Sequence, residues 1–201
     1  MVRWDRCRKW IWVAAVLATL TLTEASAQTG SLGIGGGGGG SFPVGRLDDF
    51  FEPGPGYDLF LTAGLLDNVE LELQLAQSVL FDRHPDPGFI FRDFHNLTVT
   101  TVMVGPRVFF LDPSRVFRPW ITGGIGYTRL EADDAGNNPV PDDDRFGFDL
   151  GGGFDLGRPR WAIRLEARYF RNTGSSGEGD LGYVTPLLSF TYRFLPPPAS
   201  R

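Results

Sequence analysis

In RFGFDLGGGFDLGRPRWAIRLEARYFR, residues 145–171, polarity changes at every second position. Phe146, Phe148, Leu150, Phe154 and Leu156 share one parity; Gly147, Asp149, Gly151, Gly153 and Asp155 share the other. Beyond a turn at Gly157-Arg158-Pro159 the alternation resumes, with Trp161, Ile163, Leu165, Ala167 and Tyr169 opposed to Arg164, Glu166 and Arg168. Successive side chains on a strand point to opposite faces, so this is a hairpin with one apolar face and one small or charged face. In a water-soluble barrel or sandwich the apolar face is the buried one. In a barrel that crosses a bilayer the apolar face meets lipid and the polar face lines the interior. The hairpin alone does not choose between them.

The same reading extends to eight strands: Ser31–Phe42, Tyr57–Leu66, Val69–Val79, Leu97–Phe110, Pro119–Leu130, Phe146–Leu156, Arg160–Arg171 and Tyr183–Phe194. Each is close to the 9–11 residues with which a tilted strand crosses a bilayer. The first carries six consecutive glycines, Gly35 to Gly40, which compete as a flexible linker. It is read as a strand because seven strands would leave the N-terminus on the wrong side of the membrane. The fifth, rich in glycine, has an ambiguous phase. Connections alternate in length. Asp67-Asn68, Leu111 to Phe117 and Gly157 to Pro159 are short, whereas Val44 to Gly56, Leu80 to Asn96, Glu131 to Arg145 and Asn172 to Gly182 are long, polar or rich in Pro and Gly. Short turns on one side and long loops on the other are the habit of outer-membrane barrels. That asymmetry selects the membrane reading: an all-β, eight-stranded, antiparallel up-and-down transmembrane barrel.

The N-terminus agrees. Residues 1–27 read as a secretory signal peptide, with Arg3, Arg6, Arg8 and Lys9 ahead of an apolar Trp10–Leu22 and a small-residue cleavage site at Ala25-Ser26-Ala27. Residues 28–194 would then form the barrel and 195–201 a short proline-rich tail. Cys7 leaves with the leader, so no disulfide or thiolate chemistry is expected in the mature chain. Without the leader the formal charge falls from −5 to about −7, and every remaining base is arginine. An acidic chain with no basic cluster argues against nucleic acid as a partner.

The strand Gly123-Gly124-Ile125-Gly126-Tyr127, the triplet Gly151-Gly152-Gly153 and the ending Phe190-Thr191-Tyr192-Arg193-Phe194 carry a resemblance. In these the chain resembles the small outer-membrane β-barrel domains of the OmpA/OmpX type in Gram-negative bacteria. The resemblance implies an outer-membrane location in the cell envelope, contact with outer-membrane lipid and lipopolysaccharide, and a monomer. It also implies that Phe190, Tyr192 and Phe194 are the C-terminal signal read by the barrel-assembly machinery.

With the apolar parity outward, the interior holds Asp58, Glu70, Glu72, Asp149, Asp155 and Glu166 with Arg107, Arg164, Arg168 and Arg193. Eight strands enclose just enough room for side chains to fill, so these ten are expected to pair and plug the lumen. The role expected is structural or surface-interacting. The alternatives are a porin-like solute or ion channel, a soluble lipocalin-like carrier with its parity reversed, and a lipid-active barrel enzyme. His84 and His95, beside Asp82, Asp86 and Asp93, have no diagnostic spacing to a nucleophile, so no catalytic residue, cofactor or metal site is assigned. The acids Asp133, Asp134, Asp142, Asp143 and Asp144 are a dense oxygen-ligand run, but lack the fixed spacing of a calcium loop. Trp161, Tyr169, Phe110, Phe194, Phe146 and Tyr127 are placed to form interfacial aromatic girdles.

Overall fold

A computed structural model of the chain describes residues 31–82, 94–134, 143–173 and 181–195. The expected leader and the residues after Leu195 lie outside that range. Eight long strands make one closed antiparallel barrel: β1 (Leu32–Val44), β3 (Gly54–Leu66), β4 (Val69–Asp82), β5 (Phe94–Phe109), β6 (Phe117–Asp134), β7 (Asp143–Arg158), β8 (Trp161–Asn172) and β9 (Leu181–Leu195). A two-residue strand, β2 (Phe51–Glu52), adds to the far end of β4. Each long strand pairs with the long strands before and after it in sequence, and β1 pairs with β9 to complete the wall. Closure removes the exposed edges that an open sheet would present to lipid, where nothing could satisfy them.

The glycine run is strand. Gly35 to Gly39 pair with Phe60 to Gly56 on β3 and with Thr191 to Leu187 on β9. Alternation was enough to place the strands but not their ends. At the long-connection end β5, β6 and β7 run about three residues past the expected limits, because pairing continues after the outward face stops being apolar. The connection after β1 is also structured. Gly45, at φ 66°, turns the chain into a short 3-10 helix, Gly45–Leu47. A positive φ there suits glycine, which has no Cβ to clash.

The apolar parity faces out. Leu59, Leu61, Val102, Val104, Ile121, Ile125, Leu150, Ile163, Leu165, Leu188 and Phe190 are all exposed, whereas Arg107 and Arg164 are fully buried. The ambiguous β6 resolves the same way, with Trp120, Thr122 and Thr128 inward and Ile121, Ile125 and Tyr127 outward. Leu150→Arg therefore puts a charge on the lipid face. A destabilisation of about 2–4 kcal/mol is expected in lipid vesicles, read as a lower urea midpoint. An unchanged midpoint would mean that this face does not meet hydrocarbon.

Candidate functional site

The candidate site is the interior, and it is built in two tiers. All ten charged residues expected there are buried, and the wall brings them into one network. β4 supplies Glu70, Glu72 and Gln74 from alternate positions, β8 supplies Arg164, Glu166 and Arg168, and β7 supplies Asp149 and Asp155.

Glu72 is the hub. It pairs with Arg107 and Arg168, and Arg164 Nη1 lies 3.1 Å from its Oε2. Asp155 is a second centre, accepting from Arg164 Nε at 3.0 Å, Arg193 Nη2 at 3.1 Å and the indole Nε1 of Trp120 at 3.1 Å. Arg193 also reaches Glu70 at 3.2 Å, and Arg168 reaches Asp149 at 3.2 Å and Glu166 at 3.4 Å. Asp58 accepts from Gln74 Nε2 and Ser189 Oγ, each at 3.2 Å.

Two aromatic rings complete this tier. The guanidinium of Arg107 lies 4.3 Å from the ring centre of Trp120, and that of Arg164 lies 4.2 Å from Phe60. A ring face attracts a cation, and more strongly where water is excluded.

Two arginines were missing from the sequence-derived set. Arg118 and Arg145 are buried as well, and Arg118 lies 3.7 Å over the ring of Phe109. With them, the six buried carboxylates face six buried guanidiniums among the described residues. Both sit near strand starts: Arg118 fell between the expected connection and the expected strand, and Arg145 was the last residue of an expected connection. The surplus of acid over base in the expected set was the available signal, since an uncompensated buried charge costs several kcal/mol.

The second tier lies beyond the ten charged residues expected from the sequence. Toward the long connections the interior is apolar, with Ala76, Leu80, Leu97, Val99, Met103, Leu130, Phe170 and Tyr183 in one cluster, joined by Leu47 from the 3-10 turn. Phe170 and Tyr183 stack with centroids 5.0 Å apart. Hydroxyls and one amide are interleaved with the apolar residues of this tier. Thr101 bonds Tyr183 Oη at 3.0 Å and Thr128 at 3.1 Å, Thr128 donates to Asn172 Oδ1 at 2.8 Å, and Ser41 donates to Ser78 at 2.7 Å.

At this end the outward face from β5 to β8 is polar, whereas Phe42 of β1 and Phe81 of β4 are exposed. Gln77 bonds Thr100 at 3.5 Å, and Arg129 pairs with Glu131 at 2.9 Å. On that side polarity inverts: below, the wall is apolar outside and charged inside; above, it is polar outside and apolar inside. The upper segment is built like a soluble domain, as a wall projecting into water must be.

Phe190, Tyr192 and Phe194 face outward, with Phe190 and Tyr192 opposite Gly36 and Ile34 of β1. Of the other candidates, His84, Asp86, Asp93 and Asp142 lie outside the described residues, as do the side chains of His95, Asp133, Asp134 and Asp143. Among the described residues no group of acids and histidines has the spacing of a metal site.

A family model described as the outer membrane protein beta-barrel domain matches residues 12–194. Neisserial surface protein A superposes with a TM-score of 0.60 at 10% identity, covering 81% of this chain and 97% of that one. The outer membrane protein OprG from Pseudomonas aeruginosa gives 0.59 at 16% identity, covering 85% and 98%. The N-terminal β-barrel domain of Pseudomonas aeruginosa OprF gives 0.54 at 14%, covering 83% and 100%. Identities this low speak for the fold alone. No curated protein matches the sequence.

Proposed function

The chain belongs to the outer-membrane protein β-barrel domain family, and from that premise we propose that it is a non-conducting barrel. In this reading it stabilises the outer membrane and holds its four long connections at the cell surface for interaction. The filled interior carries the proposal. The gap between Glu72, Gln74, Met103 and Arg168 is too narrow to hold a water molecule. Above it the apolar tier and Leu47 occupy the mouth. An ion on this path would have to displace guanidiniums already paired to carboxylates and then cross a hydrocarbon layer. Both steps are costly in a low-dielectric interior.

The protein works in this reading as a monomer without cofactor or catalytic residue, and nucleic acid is no partner. Its apolar belt contacts outer-membrane lipid and lipopolysaccharide. The outward Phe190, Tyr192 and Phe194 are available to the barrel-assembly machinery from the lipid side. Planar-bilayer recording of the refolded protein tests the proposal. The expected trace is flat, with at most rare small openings. Steady ohmic steps that change size in an Arg168→Ala variant would replace this reading with that of a channel.

A further inference from the structure

The barrel wall has one thin place. Partners between β5 and β6 run from Val104↔Ile125 directly to Arg107↔Thr122, leaving Gly105-Pro106 and Gly123-Gly124 unpaired with each other, though each keeps its partner on the other side. Pro106 has no N–H to give, and its carbonyl accepts instead from Thr122 Oγ1 at 3.0 Å. On the outer surface this place is a depression of about 290 Å³, walled by Val104, Pro106, Ile125, Phe148 and Leu150.

The glycines here serve different ends. A Cβ on Gly105 would collide with the carbonyl of Gly123, and one on Gly124 with the carboxylate of Asp149, so the approach of the strands requires both to be bare. Gly123 is not required in this way. A Cβ there would meet the flexible tip of Leu150 at 3.1 Å, which must give by a few tenths of an ångström, and the Asp149 carbonyl at an ordinary 3.5 Å. Close packing of the barrel therefore leaves room at Gly123 that it does not use.

We propose that this depression is a seat for the acyl chain of a membrane lipid. Along the strands it lies inside the apolar belt: Tyr127 and Phe146 are exposed on one side of it, Ile121 and Leu156 on the other. Hydrocarbon is the medium at that level, and a hollow left empty forfeits the contacts of every atom lining it. Water is no substitute, because the wall offers it almost no polar surface. The seat also has a use. Asp149 is buried, its Oδ1 has no hydrogen-bond partner, and it lies just behind Gly124. Only main chain separates it from the depression, and a seated chain keeps water from that seam.

The test is photolabelling of the full-length protein in phosphatidylethanolamine vesicles carrying a trace of phosphatidylcholine with a diazirine in its acyl chain. Label on Val104, Ile125, Phe148 and Leu150 is expected at about fivefold the level on Leu59 and Leu188 of the opposite wall, a preference that roughly ten extra carbon contacts provide. Gly123→Phe fills the hollow and should reduce that label to the level of the opposite wall, with the heat-modifiable gel mobility of the barrel kept. Should that variant not fold, Ile125→Trp closes the rim and should give the same loss. Added free fatty acid should not compete if the occupant is a bilayer lipid. Uniform labelling around the barrel, enrichment that survives filling of the hollow, or competition by the fatty acid would overturn the proposal.

Discussion

Glu72→Gln is expected to lower the stability of the barrel by roughly 3–5 kcal/mol, the usual result of removing one member of a buried ionic cluster. The side chain keeps its size and some hydrogen bonding, so the loss is one of charge. Arg107, Arg164 and Arg168 all converge on this carboxylate, and none can shed its proton to escape. Tryptophan fluorescence in urea reads the effect directly through Trp120, which packs on Arg107. The exposed pair Arg129–Glu131 supplies the contrast. Arg129→Ala should change stability by about 0–1 kcal/mol. Equal effects from the two substitutions would show that the interior is wet, with charges screened as at a surface. Replacing the interacting groups together, as in Glu72→Met with Arg107→Met, should restore part of the loss, because the penalty lies in the orphaned charges.

Gly37→Val is expected to prevent closure. A Cβ at Gly37 would overlap the carbonyl of Leu188 and the side chain of Ser189 on β9. Gly35 is similarly constrained by the Phe60 ring, which fills the lumen where a side chain of β1 would otherwise point. Overpacking usually costs about 1–3 kcal/mol. Here it also forces apart the pairing that seals the wall, so the loss should exceed that range. The measurement is gel mobility with and without boiling: the variant should show only the unfolded position. Gly38→Ala is the control, since a Cβ there makes only ordinary contacts, at 3.5 Å to Gly56 and Tyr57. A folded Gly37→Val barrel would mean that β1 tolerates side chains and that its glycines are incidental.

Strand identity was readable wherever one parity was apolar and the other polar, as in Val69–Val79 and Arg160–Arg171. It was readable because in a bilayer every outward position faces the same solvent. The strand ends were not readable, since at Glu131 and Asp144 the outward face has left hydrocarbon while the ladder continues. The apolar upper tier was hidden for a related reason. Around Leu80 the neighbours Val79 and Phe81 are also apolar, so the period-two signal vanishes where outward-facing and core-facing residues look alike. Arg118 and Arg145 were missed together with the strand ends on which they sit. Pairing geometry inside the lumen was beyond alternation, because it joins residues from strands far apart in sequence.

The pairing of β1 with β9 carries one more implication. Leu32 meets Leu195 across the seam, so the two ends of the barrel segment are each other's neighbours. Loop-closure entropy for that contact spans nearly the whole domain and falls due last. Until β9 docks, the sheet has two unpaired edges and the ion cluster lacks Arg193. Sealing of the wall and completion of the ion cluster are therefore one final event, since β9 brings both the closing edge and Arg193.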